Sequence, residues 1–409
     1  MNILIVSLYF RPDHTGIANY AGGFATAAAR NGHNVQVITG FPFYPQWRKQ
    51  KQDRLKFFRS DKDGNVKVLR SYLYVPSKPN TIKRILQELS FLAFATPGLL
   101  RVKKPEIIVC FTTPILLGFW SSIVSRIFRA KLIINVQDFQ LEAALSLGMA
   151  KKSGVTRILE WFEKRSYKRA DYVCSITSSM CEILTKKKNV PIEKTILWPN
   201  WINMGDYDLS PIQTYTFRRQ HQIDKETLLV CYAGNIGLKQ GMESLLEIVA
   251  KVGGVRKLLF LIVGNGAALP HLKGLVQENN LTAMVKFLPL LSAKEYLTLL
   301  KDIDIFVLPQ KKTAFDVYFP SKLMGILIGK VPLLLLADKE SELFKTVSQK
   351  NAGTCFEFGD TDGASAFIRD FDANKSEIKA KIEDGFRFAC DFDEQKVISE
   401  ILNMVNDEN

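Results

Sequence analysis

Residues 228–252 read LLVCYAGNIGLKQGMESLLEIVAKV. The first six are uniformly apolar, without the alternation of a strand that has one wet face, so they predict a strand buried on both sides. The last eleven place apolar side chains at helical spacing. Between them lie Gly234, Asn235, Gly237, Lys239, Gln240 and Gly241. A strand that runs through glycines into a helix is the opening of a βαβ unit, because parallel strands require a crossover. The helix that follows presents free N–H groups and a positive dipole end, an arrangement suited to a diphosphate. The stretch has no G-K-[ST] and no G-x-G-x-x-G, which weakens ATPase and dinucleotide readings. Taken alone, such a turn is equally consistent with plain strand-to-helix packing.

The same plan runs outward in both directions. Towards the C-terminus come the apolar strands KLLFLIVGNG (257–266), VKFLPLL (285–291), DIDIFVLP (302–309) and VPLLLLA (331–337), with helical patterns between them. Towards the N-terminus the chain opens with ILIVSLYF (3–10), a loop, the small-residue helix AGGFATAAARNG (21–32) and HNVQVIT (33–39). EIIVCF, KLIINVQD and ADYVCSIT continue the alternation. The expected class is α/β, two doubly wound Rossmann-like domains. WPNWINMGDYDLSP (198–211) breaks the periodicity, so the expected division is 1–204, 205–390 and a final helix within 391–409.

Composition narrows the setting. The 409 residues are 47% hydrophobic and 23% charged, which suits a globular protein with more than one core. The six cysteines are scattered without C-x-x-C spacing or neighbouring histidines, arguing against zinc and disulfides and for a reducing cytoplasm. MNILIVSLYF lacks a basic n-region and reads as a first strand, not a signal peptide. The uncharged stretch 107–125 splits at Thr112-Thr113-Pro114 into strand, turn and helix more readily than it spans a membrane.

Charge is divided unevenly. Residues 1–200 carry 31 Lys/Arg against 13 Asp/Glu, whereas the remainder carries 24 against 28. A basic half calls for an anionic neighbour: nucleic acid, an acidic membrane surface or a phosphorylated substrate. The basic excess peaks between Arg48 and Lys104. There TIKRILQELSFLAFATPGLLRVKK (81–104) reads as an amphipathic helix with apolar residues at 82, 85, 86, 89, 92 and 93. Lys83, Arg84, Arg101, Lys103 and Lys104 flank it, and Phe91 and Phe94 are expected to be exposed in addition. FPFYPQW (41–47) is either a core corner or, through Tyr44 and Trp47, a wall for an acceptor.

Two further stretches resemble the opening one. Gly264 and Gly266 end the strand in LIVGNGAALPHLK, and FPSKLMGILIGK places Ser321 and Lys322 at a helix start. A lysine there opposes the helix dipole unless an anion is bound. Three such loops at carboxyl ends of strands point to a diphosphate ligand in the C-terminal domain. Asp302 and Asp304 form a D-x-D, but at a helix end and a strand start, so a structural role is expected. DKDGN (61–65) departs from a calcium loop and reads as a turn. Asp138, ending a strand, either orients or deprotonates an acceptor hydroxyl or caps the helix after it. His14, in the first loop, is a candidate ligand contact. No metal site is expected.

The segments 11–47, 135–151, 162–177, WPNWIN (198–203), YAGNIGLKQGME (232–243), VGNG (263–266) and FPSKL (319–323) together resemble a family-4 retaining glycosyltransferase (GT4) of GT-B architecture, of the colanic-acid and O-antigen type. The resemblance implies an N-terminal acceptor domain and a C-terminal domain for a nucleotide-sugar donor, a co-substrate and not a cofactor. It places Gly234, Asn235, Gly237, Gln240 and Gly241 on the donor phosphates, Gly264 and Gly266 near the nucleotide, and Ser321, Lys322 and Leu323 near diphosphate and ribose. Gly16 and Ile17 would reach the donor from the N-terminal domain. The final helix would return to that domain. The wider family often holds the ribose through a Glu that this chain replaces by Gly325; eight residues earlier stands Val317, with Asp316 beside it. Its cations in the phosphate loop are also missing, so charge stabilisation falls to Lys322 with Lys239 as helper.

The implied activity is transfer of a sugar to a lipid-linked, polyprenyl-diphosphate saccharide on the inner face of the cytoplasmic membrane. That reading competes with a non-hydrolysing sugar-nucleotide epimerase and with a nucleic-acid-binding protein. The separation of the phosphate loops from the basic half disfavours nucleic acid.

Overall fold

The computed structural model describes the chain except residues 14, 79–80, 147–152, 238–239, 253–256, 312–321 and 407–409. It divides into two compact units, Met1–Trp201 together with Glu394–Asn409, and Ile202–Asp393.

The N-terminal unit is built on strands β1 (Asn2–Val6), β2 (Asn34–Gly40), β3 (Phe58–Asp63), β4 (Val66–Ser71), β5 (Ile107–Thr112), β6 (Lys131–Val136), β7 (Tyr172–Ser175) and β8 (Thr195–Leu197). They form one sheet in the order β3-β4-β2-β1-β5-β6-β7-β8. Every pairing is parallel except that of β3 with β4; of the DKDGN segment expected to be a turn, only Gly64-Asn65 turns, while Asp61–Asp63 end β3. Chain order reverses at β1, between β2 and β5, which makes the loop after β1 a topological switch point. The helices are α1 (Gly16–Arg30), α2 (Thr81–Gly98), α3 (Ile115–Phe128), α4 (Gln140–Ser146), α5 (Gly154–Arg169) and α6 (Ser178–Lys186). The uncharged 107–125 stretch is thus β5 and the start of α3. No described helix is long and apolar enough to cross a membrane.

The C-terminal unit has six strands, β9 (Leu228–Ala233), β10 (Leu258–Val263), β11 (Val285–Leu288), β12 (Ile305–Gln310), β13 (Leu333–Ala337) and β14 (Thr354–Glu357). All are parallel, in the order β11-β10-β9-β12-β13-β14. Its helices are α7 (Thr216–Gln220), α8 (Glu243–Val252), α9 (Leu269–Glu278), α10 (Ala293–Asp302), α11 (Lys322–Ile328), α12 (Glu342–Gln349), α13 (Thr361–Arg369) and α14 (Lys375–Cys390). Two apolar clusters cover the sheet, one including Val230, Tyr232 and Ile262, the other Leu229, Cys231 and Leu323. The uniformly apolar 228–233 is therefore buried on both faces, as its lack of alternation required. Here the switch point falls at β9, between β10 and β12.

The last helix, α15 (Glu394–Asn406), lies on α1 within the N-terminal unit. Small residues in α1 allow this approach: a Cβ at Gly23 would lie 2.8 Å from a Glu394 carboxylate oxygen and 3.1 Å from the Trp201 indole nitrogen. Trp198 and Trp201 stack against each other at 6.3 Å and close this core.

Asp302 and Asp304 take the structural role expected of them. The Asp302 carboxylate accepts from the Tyr215 and Arg218 backbone N–H groups at 2.6 and 3.1 Å. The Arg218 guanidinium donates to the Asp302, Asp224 and Thr227 carbonyls and to Asp304 Oδ2 at 2.7 Å. This knot lies at the amino edge of the sheet, before β12, opposite the glycine turns. All six cysteines are free. Removing the buried guanidinium strands several acceptors and a carboxylate, so Arg218→Met is expected to lower unfolding free energy by about 3 kcal/mol in urea titrations. Little change would show that water replaces it.

Candidate active site

The turn after β9 and the turn after β10 interlock through their backbones. Gly234 N–H donates to the Val263 carbonyl at 2.9 Å, Ile236 N–H to Asn265 at 2.9 Å, and Ala268 N–H to Ile236 at 3.0 Å. Gly234 has φ 150° and Gly264 φ 133°, conformations that L side chains rarely adopt. Any side chain at Gly264 would collide with the Gly234 carbonyl, and one at Gly266 with the Ile236 backbone. Both glycines therefore let one turn seat on the other. Gly241 is buried under the Phe358 ring.

Lys322, the first residue of α11, reaches this pair of turns. Its Nζ donates to the Ala233 carbonyl at 3.0 Å and lies 4.2 Å from the centre of the Tyr232 ring. A side chain at Gly234 would collide with that ammonium. Tyr232 is held by its hydroxyl, which donates to the Asn235 carbonyl at 2.7 Å. Burial pushes the Lys322 ammonium down to about 8, opposed among the described residues by Cys231. Among the described residues no carboxylate pairs with it. The result is a desolvated cation at the carboxyl end of the central strand, where an anion would be strongly held.

The neighbouring residues complete the picture. Asn235 is exposed, and Gly237 lies between the Asn235 and Gln240 side chains. Gln240 is half-buried, and its amide oxygen has no hydrogen-bond partner among the described residues. Leu323 is fully buried in the core, so only its backbone is near the turn. A side chain at Gly325 would collide with the Tyr207 ring, whose hydroxyl would lie 2.9 Å from the added carbon. A glutamate there has no room. Lys239, Asp316, Ser321 and His14 lie outside the described residues.

In the N-terminal unit, Thr15 caps α1 by accepting from Ala18 N–H at 3.1 Å, leaving Gly16 exposed and Ile17 half-buried. Asp138 is exposed in the short segment between β6 and α4, beside a small pocket with Thr112, Thr113 and Tyr167. Below it Lys188 bridges Glu142 and Glu163, and the Tyr167 hydroxyl donates to Glu163 at 3.1 Å. Burial alone would lower the Lys188 ammonium, but the two carboxylates raise it above its usual range. Among the described residues, no three His, Cys, Asp or Glu side chains converge as metal ligands would.

The amphipathic helix α2 corrects one expectation. Phe91 is fully buried and Phe94 half-buried, stacked on Phe57 at 5.3 Å and against Tyr72 at 4.8 Å. The inward face is Gln87, Phe91, Ala95 and Gly98, one side chain per turn. Ile82, Leu86 and Leu89 of the apolar stripe instead face outward, at 72%, 51% and 48% exposure. Lys103 and Lys104 are exposed, Lys83 is half-buried, and the Arg84 guanidinium sits 5.5 Å over the Trp47 ring.

These arrangements match known proteins along almost the whole chain. Residues 15–201 match the Glycosyl transferase 4-like domain, and residues 213–381 the Glycosyl transferases group 1 family. A putative colanic acid biosynthesis glycosyl transferase, WcaI of Escherichia coli, is 30% identical over 349 residues, 84% of this chain and 85% of that protein. The chain is a GT4-type glycosyltransferase. Its fold is GT-B: sucrose-phosphate synthase of Thermosynechococcus elongatus superposes with a TM-score of 0.75 at 16% identity, covering 100% of this chain and 98% of that one. Anabaena HepE, crystallised with UDP, superposes with a TM-score of 0.71 at 14% identity over 100% of both chains. The glycosyltransferase reading thus prevails over the epimerase and nucleic-acid readings.

Sequence reasoning located Lys322 by its conflict with the helix dipole. It missed Tyr207 and Glu88; the latter is the single acid in the otherwise basic stretch 64–105, which was the available signal. A desolvated ammonium with no carboxylate partner among the described residues costs stability. Its folded value, about 8, lies below the ordinary 10.5, so its contribution is present above 10.5 and is lost as pH falls through 8. At pH 7, Lys322→Met is therefore expected to be more stable than the parent by about 2 kcal/mol, with the gap closing towards pH 10. Thermal melts of both proteins across that range test this; a less stable variant at pH 7 would refute it.

Proposed function

We propose that the enzyme is a retaining hexosyl- or deoxyhexosyltransferase using a nucleoside-diphosphate sugar, with a lipid-linked saccharide as acceptor in envelope polysaccharide synthesis. The observation that carries this reading is the Lys322 ammonium, half-buried and desolvated at the switch point of the C-terminal sheet and paired with no carboxylate among the described residues. A diphosphate supplies the missing charge. The HepE protein has been crystallised with UDP-glucose, which supports a nucleotide sugar as the donor class.

In the reaction the bond between the anomeric carbon and the phosphate oxygen breaks, and the acceptor oxygen bonds to that carbon on the same face. The acceptor proton passes to the leaving phosphate oxygen. Charge grows on the diphosphate as the bond breaks, and Lys322, already desolvated, stabilises it without reorganisation. This work needs no metal ion. Asp138 orients the acceptor hydroxyl.

The outward apolar stripe of α2, with Arg101, Lys103 and Lys104 exposed near its C-terminal end, suits an anionic bilayer. Peripheral docking on the inner face of the cytoplasmic membrane would bring the enzyme to its lipid-linked acceptor.

Calorimetry with UDP, GDP, ADP and CMP is expected to show binding of one nucleoside diphosphate, weakened about 10–100-fold in Lys322→Ala. Because a bound diphosphate raises the ammonium above 8, affinity should fall as pH rises from 7 to 9.5, with proton uptake on binding above 8. Equal affinity in the variant, together with a near-normal kcat, would remove Lys322 from the mechanism. For the membrane, flotation with phosphatidylglycerol vesicles should be lost in Leu86→Asp and on replacing the anionic lipid by phosphatidylcholine. Binding indifferent to lipid charge would refute the docking surface.

A further inference from the structure

The loops after β1 and β2 meet the first turns of α2 at an aromatic corner whose purpose the fold does not account for. Asp13 pins the two loops together, accepting at Oδ1 from Phe43 and Tyr44 N–H at 3.0 and 2.9 Å. Tyr9 then lies against Phe43 at 5.3 Å and edge-on to Tyr44 at 6.4 Å; Trp47 lies 5.5 Å from Phe43 and 6.4 Å from Tyr44. These rings are not core: Tyr9, Tyr44 and Trp47 all keep solvent contact. Trp47 holds φ at 50°, an unusual conformation for a bulky residue, which indicates that its placement is imposed by the surrounding loop.

Arg84 and Glu88, one helical turn apart on α2, face this corner. The Arg84 guanidinium lies over Trp47, and both Arg84 and Glu88 stand close enough to the Tyr9 hydroxyl to influence its ionisation. Glu88 makes neither an ion pair nor a hydrogen bond among the described residues. It is recessed enough that burial pushes its carboxyl up to about 8 against the opposing pull of Arg84. Of the groups around it, Asp13 and Tyr44 also face Tyr9. At neutral pH the Glu88 carboxyl is therefore held largely protonated, offering both a donor and an acceptor. An aromatic face beside a carboxyl and a guanidinium with free polar edges is complementary to one ligand chemistry: a ring with an apolar face and equatorial hydroxyls.

We propose that Tyr9, Tyr44, Trp47, Arg84 and Glu88 form a subsite for a neutral pyranose unit of the acceptor, stacked on the aromatic side chains and hydrogen-bonded to Glu88 and Arg84. The inference rests on the glycosyltransferase reading for calling the ligand an acceptor, but its binding chemistry stands on this corner alone. A uronate is disfavoured, since the single cation is engaged with Trp47 and lies beside a carboxyl.

Saturation-transfer NMR on the full chain tests it with the methyl pyranosides of glucose, galactose, mannose and fucose, and with methyl glucuronide. At least one neutral glycoside should show saturation at pH 7, with weaker transfer to the glucuronide. Trp47→Ala and Glu88→Ala should each weaken binding about fivefold, whereas Trp47→Phe and Glu88→Gln should retain most of it. Thermal melts of the variants separate a lost subsite from a lost fold. Transfer to no neutral glycoside, preference for the glucuronide, or undiminished binding in Trp47→Ala with an unchanged melt would each overturn the proposal. Nucleotide calorimetry on the same parent protein reports the donor reading independently: glycoside binding without nucleotide binding would refute that reading and leave the subsite standing.

Discussion

The C-terminal unit depends on one backbone contact, the Gly234 carbonyl seated against Gly264. Parallel strands β9 and β10 bring two turns side by side at their carboxyl ends, and only residues without a Cβ let the turns close on each other. Once closed, the turns fix the Ala233 carbonyl and the Tyr232 ring, and those two groups set the Lys322 ammonium. The glycines are therefore first a packing solution. Their functional consequence is indirect: they hold a cation in a place where, among the described residues, no carboxylate neutralises it.

A different device serves the N-terminal unit. There the switch point lies at β1, and the loop after it is tied to the loop after β2 through a buried carboxylate, Asp13. The tie turns aromatic side chains to the surface instead of into the core. α2 behaves in the same way, burying Phe91 while leaving Ile82, Leu86 and Leu89 outside. An apolar stripe that faces water costs about 1–2 kcal/mol per large side chain in forgone burial. Such a cost is tolerated where a partner surface recovers it.

This explains how far the sequence was legible. Uniformly apolar strands, glycine-to-helix turns and the split of 107–125 depend on local pattern, and they emerged as β9, β10, β5 and α3. The D-x-D could be set aside because its position, a helix end before a strand, is itself a local property. Which face of α2 is buried is not local. Residues 82, 86 and 89 and residues 87, 91 and 95 both follow helical spacing, and only the neighbouring strands and Phe57 decide between them. Gly325 was equally unreadable, since the ring that fills its space belongs to Tyr207, over a hundred residues away in sequence. Glu88 drew no attention among so many basic residues, although a lone acid there is the anomaly.

The cations withdrawn from water differ in how they are satisfied. Arg218 donates to three carbonyls and a carboxylate, and Lys188 bridges two carboxylates. Each is satisfied internally, as a desolvated charge must be when its task is structural. Lys322 is half-buried, yet among the described residues it has one carbonyl and one aromatic face, and desolvation drags it down to about 8 where Glu142 and Glu163 hold Lys188 up. A chain that neutralises its fully buried cations, Arg70 on Asp61 included, leaves this half-buried one incomplete among the described residues, at the carboxyl end of its central strand. That difference, more than the glycines around it, separates a binding site from a well-packed turn. A ligand bearing negative charge completes the set, and a charge that grows during bond breaking completes it best in the transition state.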